Sequence, residues 1–275
     1  MNSSILEGIN SELVFKNEAK NNPFSFFNSN RKLPTIFIIG VQKGGTTSLL
    51  TDLIQHPEII APKYKETFYF NDVNNFNKGL NWYKSHFPLN LSNKIKTIDA
   101  SANYFESIDA AKKIKEVVPD AKIILLLRNP VDRAFSHYKM AVKRGFEKLS
   151  FEAALESEQS RIEYGKSMGE HNYAFQKLGY ASKGKYSDFL PSWLNQFNKD
   201  EILILSSEEY FNTPKKTLEQ IVHFLNLNPF SFDTVNWKNK GNSETINETT
   251  KSNLEEYFKP YNEELYNLLG KKLTW

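Results

Sequence analysis

The residues best suited to chemistry lie in a short stretch near the start of the chain, residues 35–50. An apolar run is followed there by Gly40, Lys43, the pair Gly44-Gly45 and three hydroxyl residues. Glycines let the backbone approach a ligand closely, and the helix that follows would direct its free N–H groups at an anion. Lys43 adds a mobile positive charge. The stretch therefore predicts a phosphate-binding loop between a strand and a helix.

The position of the lysine distinguishes this loop from the common nucleoside triphosphate loop. That pattern, Gly-x4-Gly-Lys-Ser/Thr, places its lysine after the second glycine, whereas Lys43 precedes the glycine pair. The predicted nucleotide is accordingly not an ordinary triphosphate held through magnesium. The alternative is a plain strand-turn-helix connection with an incidental lysine, since glycine-rich turns recur in many α/β proteins.

A second candidate anion site follows another apolar run. Arg128 comes directly after residues 122–127, Pro130 suits the first turn of the next helix, and Ser136 lies further along that helix. A guanidinium at a strand end can bind a phosphate through two hydrogen bonds, to which a hydroxyl adds a third. Arg128 could instead pair with a carboxylate. Two such sites in one chain favour a genuine anionic ligand.

Glu66 is the candidate general base. It lies in residues 62–70 beside a lysine and a cluster of aromatic residues, so burial would raise its pKa while Lys65 favours its charged form. A general base needs tuning of this kind. The other interpretation is a surface Lys-Glu pair beside a core strand. Late in the chain, Lys240-Gly241 either presents an ammonium and a backbone N–H to a phosphate or forms a plain turn.

The elements that must position these residues are apolar strands alternating with helices. Strands are predicted at residues 36–39, 94–98, 122–127 and 201–205, and helical patterns separate them. This alternation predicts an α/β class fold, a three-layer α/β/α sandwich with a central parallel sheet. The polar, helix-rich residues 139–184 have the character of an insertion or lid, or of an ordinary solvated face.

Three aromatic residues near the predicted base have two interpretations. Trp82, Tyr83 and Phe87 stand close together in an aromatic-rich helical stretch. Flat rings cover sugar faces while polar groups bind sugar hydroxyls, so they could line a glycan site. They could equally belong to the core.

Length and composition limit the remaining possibilities. The 275 residues suit one domain over residues 34–275, preceded by an Asn-rich arm at residues 1–33. The absence of cysteine excludes disulfides, thiolate metal sites and cysteine nucleophiles, and a net charge of +3 does not demand nucleic acid. No apolar run is long enough to span a membrane. We expect a cytoplasmic bacterial protein, although a luminal domain trimmed of its anchor would look the same.

Three segments resemble those of a known family in order and spacing. Residues 40–49 resemble the 5′-phosphosulfate loop of the sulfotransferases that use 3′-phosphoadenosine-5′-phosphosulfate (PAPS), residues 127–138 their 3′-phosphate motif, and residues 65–70 the segment with their catalytic glutamate. The resemblance covers about residues 34–275. It is strongest to the branch containing heparan sulfate sulfotransferases and bacterial relatives.

The resemblance implies a role for each matched residue. Lys43 would lie at the bridging oxygen of the phosphosulfate, Arg128 and Ser136 would hold the 3′-phosphate, and Glu66 would be the base. The remaining residues implied to contact the cofactor are Gly44, Gly45, Thr46, Thr47, Ser48, Lys240 and Gly241.

The implied reaction is transfer of a sulfuryl group from PAPS to an acceptor hydroxyl by in-line displacement, without a metal. The leaving group is 3′,5′-bisphosphoadenosine (PAP), and a glycan or glycoconjugate is the favoured acceptor. Two other functions stay open at this point. One is a P-loop kinase acting on a nucleotide or sugar, and the other is a noncatalytic nucleotide- or glycan-binding protein.

Overall fold

The computed structural model describes residues 31–89, 92, 94–168, 171–233 and 245–275, without the side chains of residues 171–173. Within these residues a five-stranded parallel sheet has the strand order β2-β3-β1-β4-β5. The strands are β1 (Ile36–Gly40), β2 (Ile59–Ile60), β3 (Lys96–Ala100), β4 (Lys122–Leu127) and β5 (Ile202–Ser206).

Helices connect the strands and cover the sheet. They are α1 (Thr46–Leu53), α2 (Val73–Phe76), α3 (Gly79–Lys84), α4 (Ala110–Val117), α5 (Pro130–Lys143), α6 (Phe151–Ser167), α7 (His171–Leu178), α8 (Tyr186–Leu194), α9 (Ser207–Asn212), α10 (Pro214–Phe224) and α11 (Glu248–Leu269). A 3-10 turn, Ser182–Gly184, precedes α8. Among the described residues, no helix is both long and apolar enough to cross a membrane.

Two apolar clusters on opposite faces of the sheet confirm the predicted three layers. Phe37 and Ile39 of β1 face one cluster with Trp193 of α8, whereas Ile36 and Ile38 face the other, which contains helices α1 and α10. Successive strand residues point to opposite faces, so the uninterrupted apolar runs of β1 and β4 fit a strand covered on both sides.

The predicted strands are confirmed, with differences at their ends and one additional strand: β1 extends by one residue to Gly40, and β5 is shifted by one residue to Ile202–Ser206. β3 begins at Lys96, not at residue 94, and runs through Asp99 to Ala100, so Asp99 lies inside the sheet. The two-residue strand β2 was not predicted, because an isolated Ile-Ile pair is too short to show a strand pattern. Most of the predicted N-terminal arm lies outside the described residues.

The described part of residues 139–184 packs against the rest of the chain. Their first residues complete α5, and α6 and α7 follow. A third apolar cluster joins Phe151 and Tyr180 of this segment to Val131 of α5 and to Phe258 of α11. Its role as a lid stays a prediction.

Candidate functional site

The loop between β1 and α1 lies at the point where the chain leaves β3 and crosses β1 to reach β4. Parallel α/β sheets bind ligands at such a switch point, beyond the carboxyl ends of the strands. Gly45, with a φ of 95°, is the N-cap of α1 and supplies no side-chain cap. The first-turn N–H groups of Thr46, Thr47 and Ser48 are therefore the unbonded donors of a helix start. Thr46 is buried and Thr47 is exposed.

The two loop glycines are required by close packing. A Cβ on Gly44 would lie 2.7 Å from the carbonyl oxygen of Leu126 in β4, and one on Gly45 would lie 2.7 Å from the Phe211 ring. The Ser207 hydroxyl also donates to the Gly44 carbonyl at 2.6 Å. The loop thus packs against β4 and α9. These contacts fix the direction of its backbone N–H groups.

Lys43 is a cation without an anionic partner among the described residues. Burial lowers the pKa of Lys43, and the neighbouring charges of Arg128, Arg144, Lys139 and Lys143 lower it further. Its backbone also adopts a φ of 72°, in the left-handed region. A half-buried ammonium among like charges is stabilised by an anion, which supports the predicted phosphate-binding loop.

Arg128 connects the two predicted anion sites. It follows β4, and its guanidinium donates to the Lys43 carbonyl at 3.0 Å. The Arg128 carbonyl accepts from the Tyr186 hydroxyl at 2.8 Å, and the Asn129 amide donates to Glu208 at 2.9 Å. In the part of the chain that it describes, the structure does not show the alternative, a carboxylate partner for Arg128. Its guanidinium donates to the Lys43 carbonyl instead.

Of the remaining residues predicted to bind phosphate, the structure describes only Ser136. Ser136 lies in the second turn of α5, partly exposed, and Pro130 occupies the first turn as predicted. Lys240 and Gly241 lie outside the described residues.

Glu66 lies in a loop beside β3 with an unusual backbone. Its φ is 65°, and its amide donates to the Ala100 carbonyl at 3.2 Å. The carboxylate pairs with Lys65 at 2.9 Å and keeps about a third of its surface exposed. The charge of Glu66 also acts on the pKa values of Lys177 and Lys183. Because the charge of Arg144 acts on both Lys43 and Lys177, Glu66 lies near the basic residues around Lys43.

A buried carboxylate, Asp99, anchors the segment that carries Glu66. Four hydroxyl groups donate to it at 2.7 to 3.0 Å, those of Thr67, Tyr83, Ser101 and Tyr104. Burial raises the pKa of Asp99, and the hydrogen bonds from these hydroxyls oppose that effect. Because Thr67 directly follows Glu66, this network fixes where the Glu66 side chain begins.

Trp82 and Tyr83 of α3, and Phe87 just after this helix, belong mainly to the core. Tyr83 and Phe87 are fully buried, so a sugar-binding role for these two is wrong. Tyr83 stacks on Tyr69 with ring centroids 4.3 Å apart. Trp82 is partly buried, and the Lys78 ammonium lies 4.5 Å from its ring centroid. Both side chains belong to the apolar cluster that also contains Phe37 and Ile39 of β1.

A set of basic residues, called the basic rim below, lies near Lys43 or near Glu66. Three members lower the pKa of Lys43, and the fourth has a pKa influenced by Glu66; they are Lys139, Lys143, Arg144 and Lys177. All four lie in residues 139–184, in or next to α5 and in α7.

A further charged residue of this site, Lys183, has no signal in the sequence. Lys183 is fully buried, donates to Gln42 and Asn103, and lies 3.5 Å from Glu106. Burial lowers the pKa of Lys183, which the charge of Glu106 opposes. No sequence pattern marks it, because the two amides that it contacts, Asn103 and Gln42, are 80 and 141 residues away.

Comparisons with known proteins agree with this geometry. The model of the sulfotransferase domain family matches residues 33–258. A membrane-associated sulfotransferase, kil1, of Dictyostelium discoideum is 28% identical, over 88% of this chain and 66% of its own. The mouse bifunctional heparan sulfate N-deacetylase/N-sulfotransferase 3 is 34% identical, over 72% of this chain but 23% of its own. The chain thus spans less than two thirds of the length of these relatives.

A solved structure covers nearly the same length as this chain. The sulfotransferase from Alicyclobacillus acidocaldarius superposes with a TM-score of 0.75 at 27% identity, over 88% of this chain and 98% of that one.

Proposed function

Because the chain belongs to the sulfotransferase domain family, we propose that it transfers a sulfuryl group from PAPS to an acceptor hydroxyl. The observation that carries this proposal is Lys43, a half-buried cation among like charges, beside the uncapped start of α1. The donors fit a doubly anionic nucleotide, since Arg128 joins this loop to the second anion site. We assign the whole reaction to one domain, residues 34–275.

The residues that would hold PAPS belong to the two loops. Backbone N–H groups from Gly44 to Ser48, with the hydroxyls of Thr46, Thr47 and Ser48, would bind its 5′-phosphate end. Arg128 and Ser136 would bind its 3′-phosphate, and Lys240 and Gly241 would contribute from the late loop. PAPS supplies the sulfuryl group and PAP as the leaving group.

Two side chains of this chain would carry the chemistry. Glu66 would accept the proton of the acceptor hydroxyl as the acceptor oxygen becomes nucleophilic. Lys43 would stabilise the negative charge that develops on the phosphate oxygen of the leaving group. Donors placed in advance stabilise the transition state more than the ground state, because charge on that oxygen grows during the reaction.

An anionic glycan or glycoconjugate is the proposed acceptor. The basic rim adds three positive charges near Lys43 and a fourth near Glu66, which favours an acceptor with negative groups. The heparan sulfate relative supports the same choice. The packed segment 139–184 would form the acceptor side of the site, because all members of the rim lie on it.

Calorimetric titration separates this function from its rivals. We expect the chain to bind PAP more tightly than ATP with magnesium. Tight ATP binding without a response to PAP would favour a P-loop kinase instead. Transfer of labelled sulfate from PAPS to a panel of glycans, alcohols, phenols and amines then identifies the acceptor. A chain that binds PAP but neither transfers nor releases sulfate would be a noncatalytic binding protein.

A further inference from the structure

A buried ammonium lies directly behind the phosphate-binding loop. Lys183, in the turn before α8, is fully buried. Its Nζ lies 3.0 Å from Gln42 Oε1, 2.9 Å from Asn103 Oδ1 and 3.5 Å from Glu106 Oε1. An ammonium has three N–H donors and no acceptor. It donates to the two amide oxygens, and the Glu106 carboxylate balances its charge from 3.5 Å.

The hydrogen bond between Lys183 and Gln42 determines the orientation of the Gln42 side-chain amide. Because the ammonium can only donate, the amide oxygen of Gln42 must face Lys183, and the amide nitrogen must point away from it. Gln42 is half-buried and immediately precedes Lys43. Within the described residues, its Nε2 has no hydrogen-bond acceptor. Two N–H donors beside Lys43 are therefore available to an anion.

The same ammonium also joins the loops that meet at the site. Gln42 belongs to the loop after β1 and Asn103 to the loop after β3. The backbone carbonyl of Asn103 accepts from the Asn71 amide at 3.3 Å, and Asn71 belongs to the segment that carries Glu66. A single buried charge thus holds the cofactor side and the base side in one arrangement.

We propose that Lys183 is a positioning residue that aims the Gln42 amide N–H groups at the 5′ end of the bound nucleotide. Gln42 is then a further binding residue, and Lys183 acts through it. This inference rests on the proposed function, because that function supplies the anion. A buried ion pair is weak evidence for stability, since apolar residues of similar volume often pack as well. The contact between Lys183 and Gln42 is better explained if Lys183 orients the Gln42 side chain.

The test compares two nucleotides that differ only at the 5′ position. PAP has both phosphates, whereas adenosine 3′-monophosphate lacks the 5′-phosphate. We expect Gln42→Leu and Lys183→Met each to weaken PAP binding by roughly tenfold, the effect of one lost hydrogen bond to a charged group. Binding of adenosine 3′-monophosphate should stay unchanged. A merely structural loss would weaken both nucleotides equally.

The double variant tests whether Lys183 acts through Gln42. If it does, Gln42→Leu/Lys183→Met should bind PAP about as weakly as Gln42→Leu alone, because coupled residues are not additive. Multiplied effects, or wild-type PAP affinity in either single variant, would overturn the inference. Lys185→Met is the matched control, since Lys185 lies over the rings of Tyr257 and Tyr261 instead. It should bind both nucleotides normally.

A second variant and a melting measurement show whether a loss of PAP binding reflects unfolding. Lys183→Met leaves Glu106 buried without its cation, so Lys183→Met/Glu106→Gln is made alongside it and both are melted. If only the second folds, it takes the place of Lys183→Met in the comparison. A wild-type chain that binds neither nucleotide would overturn the proposed function together with this inference. A wild-type chain that binds PAP while the variants match it would overturn this inference alone.

Discussion

The surroundings of Lys43 change the pKa of its ammonium group. Its ammonium is surrounded by positive charges and half-buried, so its pKa lies below the ordinary lysine value of 10.5. Any function that needs its positive charge will weaken as the pH rises through that lowered value. An arginine at the same position would keep its charge over this whole range.

We therefore expect the kcat/KM for PAPS to fall on the alkaline side below pH 10.5. Lys43→Arg should retain reduced activity and move this alkaline limb to higher pH, whereas Lys43→Ala should lose about 10²–10³ in rate. The measurement is a pH profile of labelled sulfate transfer. Lys112→Ala, on the exposed surface of α4, is the control. An unchanged alkaline limb in Lys43→Arg would assign it to another group.

Glu66 is the second residue with a direct test. Glu66→Gln keeps the size of the side chain but cannot accept the proton, so we expect transfer to fall by about 10²–10⁴ while PAP binding is retained. Rates of sulfate transfer and calorimetric affinities are compared for both proteins. Glu116→Gln, on the exposed face of α4, should behave as wild type. Wild-type turnover by Glu66→Gln would remove Glu66 from the role of base.

At the scale of elements, the loop after β1 depends on its approach to β4. Gly44 has no room for a side chain, because a Cβ there would lie 2.7 Å from the Leu126 carbonyl and 2.9 Å from Val41. Strand β4 in turn ends in Arg128. The two anion sites are therefore joined by backbone packing.

Gly44→Ala should lower the free energy of unfolding by about 1–3 kcal/mol, the usual cost of overpacking, and should also weaken PAP binding. Gly145→Ala is the matched control. Gly145 has a φ of 74° with no atom near its missing Cβ, so alanine there costs about 1–2 kcal/mol of backbone strain and leaves the loop intact. Denaturant unfolding and PAP titration check both variants. Normal PAP affinity in Gly44→Ala would show that the loop tolerates displacement.

Glu147 is one of the carboxylates that stabilise the segment carrying the basic rim. Glu147 accepts from Arg161 at 2.6 and 3.3 Å and from the Tyr180 hydroxyl at 2.9 Å. Burial alone would raise the pKa of Glu147, but the hydrogen bonds from Arg161, the Leu149 amide and Tyr180 overcome it. The pKa therefore lies below the ordinary 4.5.

A lowered pKa in the folded state fixes the sign of the pH effect. The stability that ionised Glu147 contributes is present above pH 4.5 and is lost as the pH falls through the folded-state pKa. Glu147→Gln should cost about 1.5 kcal/mol near neutral pH, and its difference from wild type should vanish in acid. Urea unfolding at several pH values measures this. Glu156→Gln, exposed on α6, should show no such trend. A pH-independent difference would contradict this role.

At the scale of the whole molecule, the site exists because two crossovers meet beside β1. Arg128 arrives with β4, and its guanidinium reaches back to the Lys43 carbonyl. A planar guanidinium can contact this carbonyl and an anion at once, since it has five N–H donors in fixed directions.

Arg128→Lys should weaken PAP binding by roughly tenfold or more, because one ammonium cannot replace both contacts. Calorimetry with PAP measures the loss. Arg161→Lys makes the same chemical change in a contact with Glu147 instead of with the Lys43 carbonyl. It should lower stability and spare PAP affinity. Equal PAP affinity in Arg128→Lys and wild type would show that Arg128 only supports the loop.

The sequence determined the features that depend on local chain preferences. The apolar runs gave the strands of a parallel sheet, Pro130 began α5, and the spacing of glycines around Lys43 gave a loop at a helix start. The motifs also identified the family that the comparisons confirm. Each of these signals lies within a few residues, so the neighbours along the chain are enough to produce it.

Only the tertiary structure decided how distant groups meet. Nothing near Lys183 in sequence indicates that it contacts Gln42, 141 residues away. Burial of Tyr83 and the four bonds to Asp99 likewise follow from packing between segments. The segments that pack around a side chain decide whether it is buried in the core, pairs with another residue or is free to bind a ligand. For Lys43, the sequence supplied the unusual position before two glycines, and the fold supplied the four neighbouring positive charges that leave it in need of an anion.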